Sequence, residues 1–268
     1  MTPAAGPRPM APERRHTLYF LGSIRSFSPV FLDTEVDMGR VAAHRQAARA
    51  GGRRYSVVAY VLLAAARALA AHPEANAAVR GRRRPRVARY ESVCAKLTLD
   101  RTLNGRRIVL SAVLPGLESA DLDAVQEQID HFRDGDPARM PEFAGARLLH
   151  RLPWPLGPLA FRLASAPLRR RPELLGTFAV TSLGHRPVDA FHSVGGTTVT
   201  LGVGRIADRP VAVDGEVAIA PVMRLSLAFD HRVIDGAEAA DVLADIKDGL
   251  ERFTVAKAMV EATGERSG

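Results

Sequence analysis

The chain has 268 residues, 47% hydrophobic and 25% charged, which is enough for one large core and too apolar for a disordered polymer. No stretch is long and charge-free enough to span a bilayer, and no apolar run follows the basic pair Arg14-Arg15, so neither a transmembrane helix nor a secretory leader is expected and the cytoplasm is the simplest location. Thirty-seven basic against 29 acidic residues give a net charge of +8, and a single cysteine, Cys94, excludes an intrachain disulfide and a cysteine-rich metal site. The densest basic runs, Arg80 to Arg86 and Arg169 to Arg171, lack interleaved aromatics and lie in no nucleic-acid-binding motif. They read as a solvated arginine face, with an anionic cofactor or a membrane surface as the remaining partners.

Residues 1–15 read as a loose tail. Apolar and polar residues alternate from Phe31 to Val36, which predicts a half-buried strand. Asp37 then caps a helix that Gly51-Gly52 stops, and Ser56 opens a second helix, apolar on most faces, that ends near Pro73. Short strands are predicted at Arg86 to Glu91, Cys94 to Leu99 and Arg107 to Val113, the last two joined by the hairpin pair Asn104-Gly105. A helix from Ser119 to Phe132 aligns Leu122, Val125, Ile129 and Phe132.

Residues 136–175 are proline-rich and carry the run Leu152 to Leu163. A packed irregular loop is the plainest reading, beside a cover over a pocket, a partner-binding loop and an interfacial membrane segment. Strands return at Phe178 to Ser182, Thr197 to Val203 and Pro221 to Phe229, with Asp214-Gly215 as a second hairpin signal. A last helix follows Gly236, with Val242, Leu243, Ile246, Leu250 and Phe253 on one face. These elements predict a mixed sheet with packed helices, an α/β or α+β layered fold. The expected organisation is one domain over residues 16–255 with an insertion near 136–175, followed by a tail at 256–268.

The segment that carries chemistry is Asp230-His231-Arg232-Val233-Ile234-Asp235-Gly236, between the last strand and the last helix. A histidine at a strand end can project into a cavity, and an imidazole titrating at about 6.5 suits proton removal from a thiol or alcohol. The string resembles the active-site signature of dihydrolipoamide acyltransferase components of 2-oxoacid dehydrogenase complexes, within the chloramphenicol acetyltransferase-like fold family. Thr177 to Gly184 is similar to that family's hydroxyl-bearing strand, His72 to Ala77 to its H-P-E-L-N-A segment, Leu201 to Gly204 to its L-G-V-G strand, and Pro29-Val30-Phe31 to the opening of its first core strand. The resemblance covers roughly residues 14–255.

That resemblance implies a mixed sheet with packed helices and a catalyst using coenzyme A or acyl-CoA as substrate. His231 takes the role of general base, Asp235 that of the acid holding local geometry, and Thr181, or Ser182 if the register shifts, that of the oxyanion donor. It further implies homotrimers, with a larger assembly as an option, and active sites at subunit boundaries. Arg82, Arg83 and Arg84 are candidates for the phosphates of coenzyme A, Asn76 for a structural cap, and Arg14, Arg15 or Arg25 for bracing the motif's aspartate. No metal and no bound lipoyl group is expected, so acyl groups would come from a separate carrier or lipoyl protein. A catalytically silent scaffold or regulatory subunit of the same fold is the alternative.

Overall fold

The computed structural model describes residue 6 and residues 9–81 and 83–254. The expected C-terminal tail and Arg82 lie outside the described residues. Helix α1 (Arg15–Ser23) follows a turn of 3-10 helix at Pro12–Arg14, so the end of the stretch read as a tail is already helical. Strand β1 (Pro29–Asp37) leads to α2 (Gly39–Ala50) and to the buried helix α3 (Val57–Ala71). As expected, Ser56 caps α3 by accepting a hydrogen bond from Ala59 (3.2 Å), whereas the N-cap of α2 is Met38 and Asp37, one residue earlier, accepts from the Gly39 amide (2.7 Å).

A two-stranded ribbon follows, β2 (Ala77–Arg80) with β3 (Arg86–Arg89), and then the hairpin of β4 (Ala95–Leu103) and β5 (Arg106–Leu114). Asn104 and Gly105 both adopt positive φ, 51° and 72°, the geometry of a tight hairpin turn whose twist matches the strands. Helix α4 (Leu122–Asp134) is capped by Asp121. Three short helices come next, α5 (Ala144–Arg151), α6 (Leu156–Ser165) and α7 (Arg171–Leu175).

The region read as an irregular loop is therefore largely helical. Its prolines sit where helices tolerate them: Pro155 precedes α6, Pro158 lies in its first turn and Pro172 opens α7, positions whose amide hydrogens have no intrahelical partner.

Strands β6 (Phe178–Ser182), β7 (Val199–Val213) and β8 (Glu216–Asp230) complete the main sheet, and α8 (Gly236–Glu251) closes the described fold. The six strands run in the order β1-β8-β7-β6-β4-β5, with β6 parallel to β4 and β7 and the other pairs antiparallel. The layered, mixed-sheet expectation is met.

The sheet is two-faced. Leu97, Phe178, Val180, Leu201, Leu225, Leu227 and Phe229 form its buried apolar face in one core with α3, α4 and α8. Alternation puts Lys96, Thr98, Thr181, Thr200, Ser226 and Asp230 on the other side. Residues 184–198 cross this polar face in direct contact with it. A Cβ on Gly204 would stand 1.9 Å from the Asp189 carbonyl oxygen, and one on Gly202 2.4 Å from that of Phe191. Backbone can approach backbone this closely only because both positions are glycine.

Helix α1 is held against α5 and β5 by two histidines. His16 Nε2 lies 2.9 Å from the Val109 carbonyl oxygen and therefore carries its hydrogen, leaving Nδ1 to accept from His150 Nε2 at 2.8 Å. The accepting His16 ring must be neutral for this arrangement. Burial pushes His16 below its ordinary pKa, and burial together with the His16 charge pushes His150 down to about 4. Because the folded state favours the neutral rings, the pair's contribution is complete above about 6.5, the unfolded value, and is lost as pH falls toward 4. Denaturant unfolding across this window is expected to lose stability more steeply for the native chain than for His150→Gln. Parallel losses in the two proteins would show that the pair does not carry the acid sensitivity.

Candidate active site

The last turn of β8 is built around a buried carboxylate. Asp230 is 3% exposed. It accepts hydrogen bonds from Arg232 Nε (2.9 Å), the Arg232 amide (3.2 Å) and the Ser28 amide (3.4 Å), and Arg232 Nη2 approaches it at 2.5 Å. The forked guanidinium closes onto the carboxylate, and the amides of Val233 and Ile234 return to the Asp230 carbonyl oxygen at 2.9 and 3.4 Å.

His231 stands on this turn, its amide tied to the Ser28 carbonyl at 2.9 Å. Its side chain is 47% exposed and its Nδ1 lies 3.3 Å from Asp235 Oδ1. Nδ1 thus faces the carboxylate at ion-pair distance, and an imidazole with its hydrogen on that side would present Nε2 as the lone pair a general base needs. Asp235 occupies the N-cap position of α8 and makes no side-chain hydrogen bond to the helix backbone. It is free to hold the imidazole.

Thr181 lies near the C-terminal end of β6, and its hydroxyl donates to Thr98 Oγ1 on β4 at 3.0 Å. It lines a cleft of about 370 Å³ with Thr98, Ser182, His185, Arg186, Arg107 and others. Ser182 is the next residue, so pleating directs the two hydroxyls to opposite sides of the strand while both border the cleft.

His231 does not line this cleft. Thr181 pairs across β7 with Gly202, which pairs with Ser226 on β8, five residues before His231. That puts the two side chains roughly 17 Å apart along the strands and roughly 10 Å across them. They cannot meet within one chain.

The other candidates fall elsewhere. Arg83 and Arg84 occupy the connection between β2 and β3, on the solvent side, away from the residues that line the Thr181 cleft. Asn76 is buried, and its amide donates to the Tyr90 and Ser92 carbonyls at 2.7 and 3.2 Å, a structural role. His72 is clamped between Glu238 (2.9 Å) and Asp245 (3.0 Å) of α8. Burial opposes its charge, but the two carboxylates outweigh burial and raise its pKa.

The brace expected from Arg14, Arg15 or Arg25 is supplied instead by Arg232. Arg15 is committed to the His150 and Leu152 carbonyls, and Arg14 lines the Thr181 cleft. An arginine two residues from its aspartate needs no distant partner. Sequence reasoning also missed Lys96, buried on the polar face of β4, whose ammonium donates to the Gly195 carbonyl and lies 4.3 Å from the centre of the Phe20 ring. Burial, with the nearby Arg171 charge, lowers its pKa to about 7. Among the described residues there is no cluster of metal-ligating side chains.

Residues 171–258, which hold both β6 and the histidine turn, match the family of 2-oxoacid dehydrogenases acyltransferase (catalytic domain). Over that stretch the chain is similar to these acyltransferase catalytic domains. It is 54% identical over 54 residues to the dihydrolipoyllysine-residue succinyltransferase component of the 2-oxoglutarate dehydrogenase complex of Pseudomonas aeruginosa, a match covering 20% of this chain and 13% of that protein. In fold the likeness is far wider. A probable dihydrolipoamide acetyltransferase from Listeria monocytogenes superposes with a TM-score of 0.71 at 18% identity, over 96% of this chain and 99% of that one. The dihydrolipoamide acetyltransferase of Azotobacter vinelandii, in whose mechanism a serine, a histidine and an asparagine four residues beyond it have been investigated, gives 0.70 at 22% identity over 92% and 91%. Chloramphenicol acetyltransferase gives 0.51 at 18% identity over 91% and 99%, which bears out the fold family expected from the histidine string.

Replacing Arg232 by Ala leaves the Asp230 carboxylate buried without its counter-charge. Equilibrium unfolding is expected to show a loss of about 3 kcal/mol, the lower end for breaking a buried pair because the arginine is partly exposed. A loss below about 0.5 kcal/mol, the scale of an ordinary surface substitution, would remove Asp230 as the anchor of the turn.

Proposed function

We propose that this protein is an acyltransferase that moves an acyl group between coenzyme A and a thiol of the dihydrolipoyl type, or a hydroxyl, with His231 as general base. The observation that carries the reading is the imidazole held by Asp235 through Nδ1, with Nε2 free, on a turn that the family match covers. Asp235 falls four residues beyond His231, the spacing of the histidine and asparagine investigated in the Azotobacter vinelandii relative.

In the forward direction Nε2 takes the proton of the acceptor thiol. The thiolate attacks the acyl thioester carbonyl, a carbon–sulfur bond forms, and the carbonyl electron pair moves onto oxygen. Collapse of this tetrahedral oxyanion breaks the bond to the coenzyme A sulfur, which leaves with the proton from the imidazolium. Asp235 stabilises the imidazolium while it holds the proton. The Thr181 hydroxyl supplies the hydrogen bond to the oxyanion. Thr98 accepts that proton in the resting state and so fixes the side chain until the carbonyl oxygen replaces it.

His231 and Thr181 are too far apart to act together in one chain, which supports a site completed by a second subunit, as in the homotrimer that the family resemblance implies. The distal half of the β7–β8 hairpin, beyond the irregularity between Val203 and Ile206, leaves Val217 and Ile219 exposed on one face and Val213 on the other, apolar surface suited to such assembly. No helix among the described residues is long and apolar enough to cross a membrane, consistent with a cytoplasmic setting.

Transfer from acetyl-CoA to dihydrolipoamide is the direct assay. His231→Ala is expected to abolish it with folding and assembly intact, and unchanged turnover would remove His231 as base. Thr181→Val is expected to lower kcat by roughly a hundred- to a thousandfold, the cost of an oxyanion donor, with little change in KM. A change confined to KM would make Thr181 a binding residue only.

A further inference from the structure

The segment from Phe143 to Pro172 contains six arginines and no aspartate or glutamate. It holds α5 and α6, and all but its last two residues precede the region of the family match. One side of α6 packs inward: Gly157 is buried so close to Tyr19 that a Cβ there would meet the phenol oxygen at 2.3 Å. A different side carries Leu156, Leu159 and Leu163, which share one stripe by their spacing. These three are 50%, 51% and 64% exposed, and Trp154, 60% exposed, stands at the same end of the helix, its ring 5.9 Å from that of Tyr19.

We propose that the Leu156–Leu159–Leu163 stripe with Trp154 is a docking surface for an anionic phospholipid bilayer. Three leucines and a tryptophan presented outward are what an interfacial helix inserts at the boundary between headgroups and acyl chains. Within residues 143–172 every charged residue is an arginine, and the nearest acid in sequence beyond α6 is the exposed Glu173 on α7. Arg162 flanks it on the helix, where its long stem lets the guanidinium reach the headgroups while the leucines insert. Arg151 precedes α6, and Arg169 and Arg170 follow it, all exposed.

Charge separates this surface from the other exposed apolar residues, at the tip of the β7–β8 hairpin. Val213, Val217 and Ile219 at the hairpin tip are accompanied by Asp214 and Glu216, which an anionic membrane repels. The arginines of residues 143–172 outnumber the neighbouring Glu173 and instead match the negative potential of a leaflet containing phosphatidylglycerol or phosphatidylserine.

The chain's single tryptophan, Trp154, reports the event directly. Vesicles of phosphatidylcholine mixed with phosphatidylglycerol are expected to shift the emission of the full chain to the blue and to carry the protein down on sedimentation. Vesicles of phosphatidylcholine alone should do so at least about tenfold less. The triple variant Leu156→Ser, Leu159→Ser, Leu163→Ser should bind anionic vesicles at least about tenfold more weakly with an unchanged circular dichroism spectrum. The pair Arg162→Glu, Arg170→Glu, which keeps the leucines, should lose the preference for phosphatidylglycerol. The proposal is overturned by no sedimentation of the native chain, or by a triple variant that sediments like it. It is equally overturned if the triple variant has a lower mass by light scattering, which would assign the stripe to a second copy of this chain.

Discussion

A single buried carboxylate determines where the imidazole stands. Asp230 ends the long central strand β8 and receives the Ser28 amide, the Arg232 amide and the Arg232 guanidinium. With those partners in place, the chain reverses within a few residues. The reversal turns Ile234 into the core, leaves His231 half exposed and starts α8 at Gly236 with Asp235 beside the imidazole. Removing the arginine leaves a charge in a low-dielectric interior, so the carboxylate and guanidinium act as one unit. The placement of the imidazole is thus a consequence of an electrostatic anchor one residue before it.

The second organising feature is the unequal pair of sheet faces. One face is sealed by α3, α4 and α8 in a continuous apolar core. The other bears hydroxyls and a lysine, and residues 184–198 with α1 lie over part of it. Lys96 shows the character of that cover. It is buried beside Phe20 of α1 and the Gly195 carbonyl, and its pKa falls to about 7 because burial and Arg171 both disfavour its charge. The edge of the same face opens into the cleft that holds Thr181. The polar side of the sheet therefore supplies the hydroxyl chemistry, while the apolar side holds the strands in register.

Local signals made much of this legible in the sequence. Asn104-Gly105 and Asp214-Gly215 marked two hairpins whose residues do take positive φ, and Ser56 marked a cap that forms. The histidine string pointed to both the turn and the fold family, because its flanking carboxylates and glycine all serve the same few residues. What was not legible depends on contacts between distant segments. The short α6 and α7 read as a loop because their prolines look disruptive until it is known that they occupy helix starts. The pairing of His16 with His150, 134 residues apart, has no local signature. The brace for Asp230 was sought far upstream, although the fork geometry of Arg232 lets a residue two positions away fold back onto it. Lys96 looked like an ordinary strand-face lysine, and only the crossing of α1 and residues 184–198 buries it.

The central claim is that one subunit's imidazole works with another's hydroxyl. Subunit mixing tests it most directly: His231→Ala and Thr181→Val proteins, each deficient in acyl transfer alone, are dissociated, combined and reassembled. Sites that join the histidine of one variant to the threonine of the other should restore activity well above that of either parent. Reassembled mixtures no more active than their parents would contradict a site shared between chains.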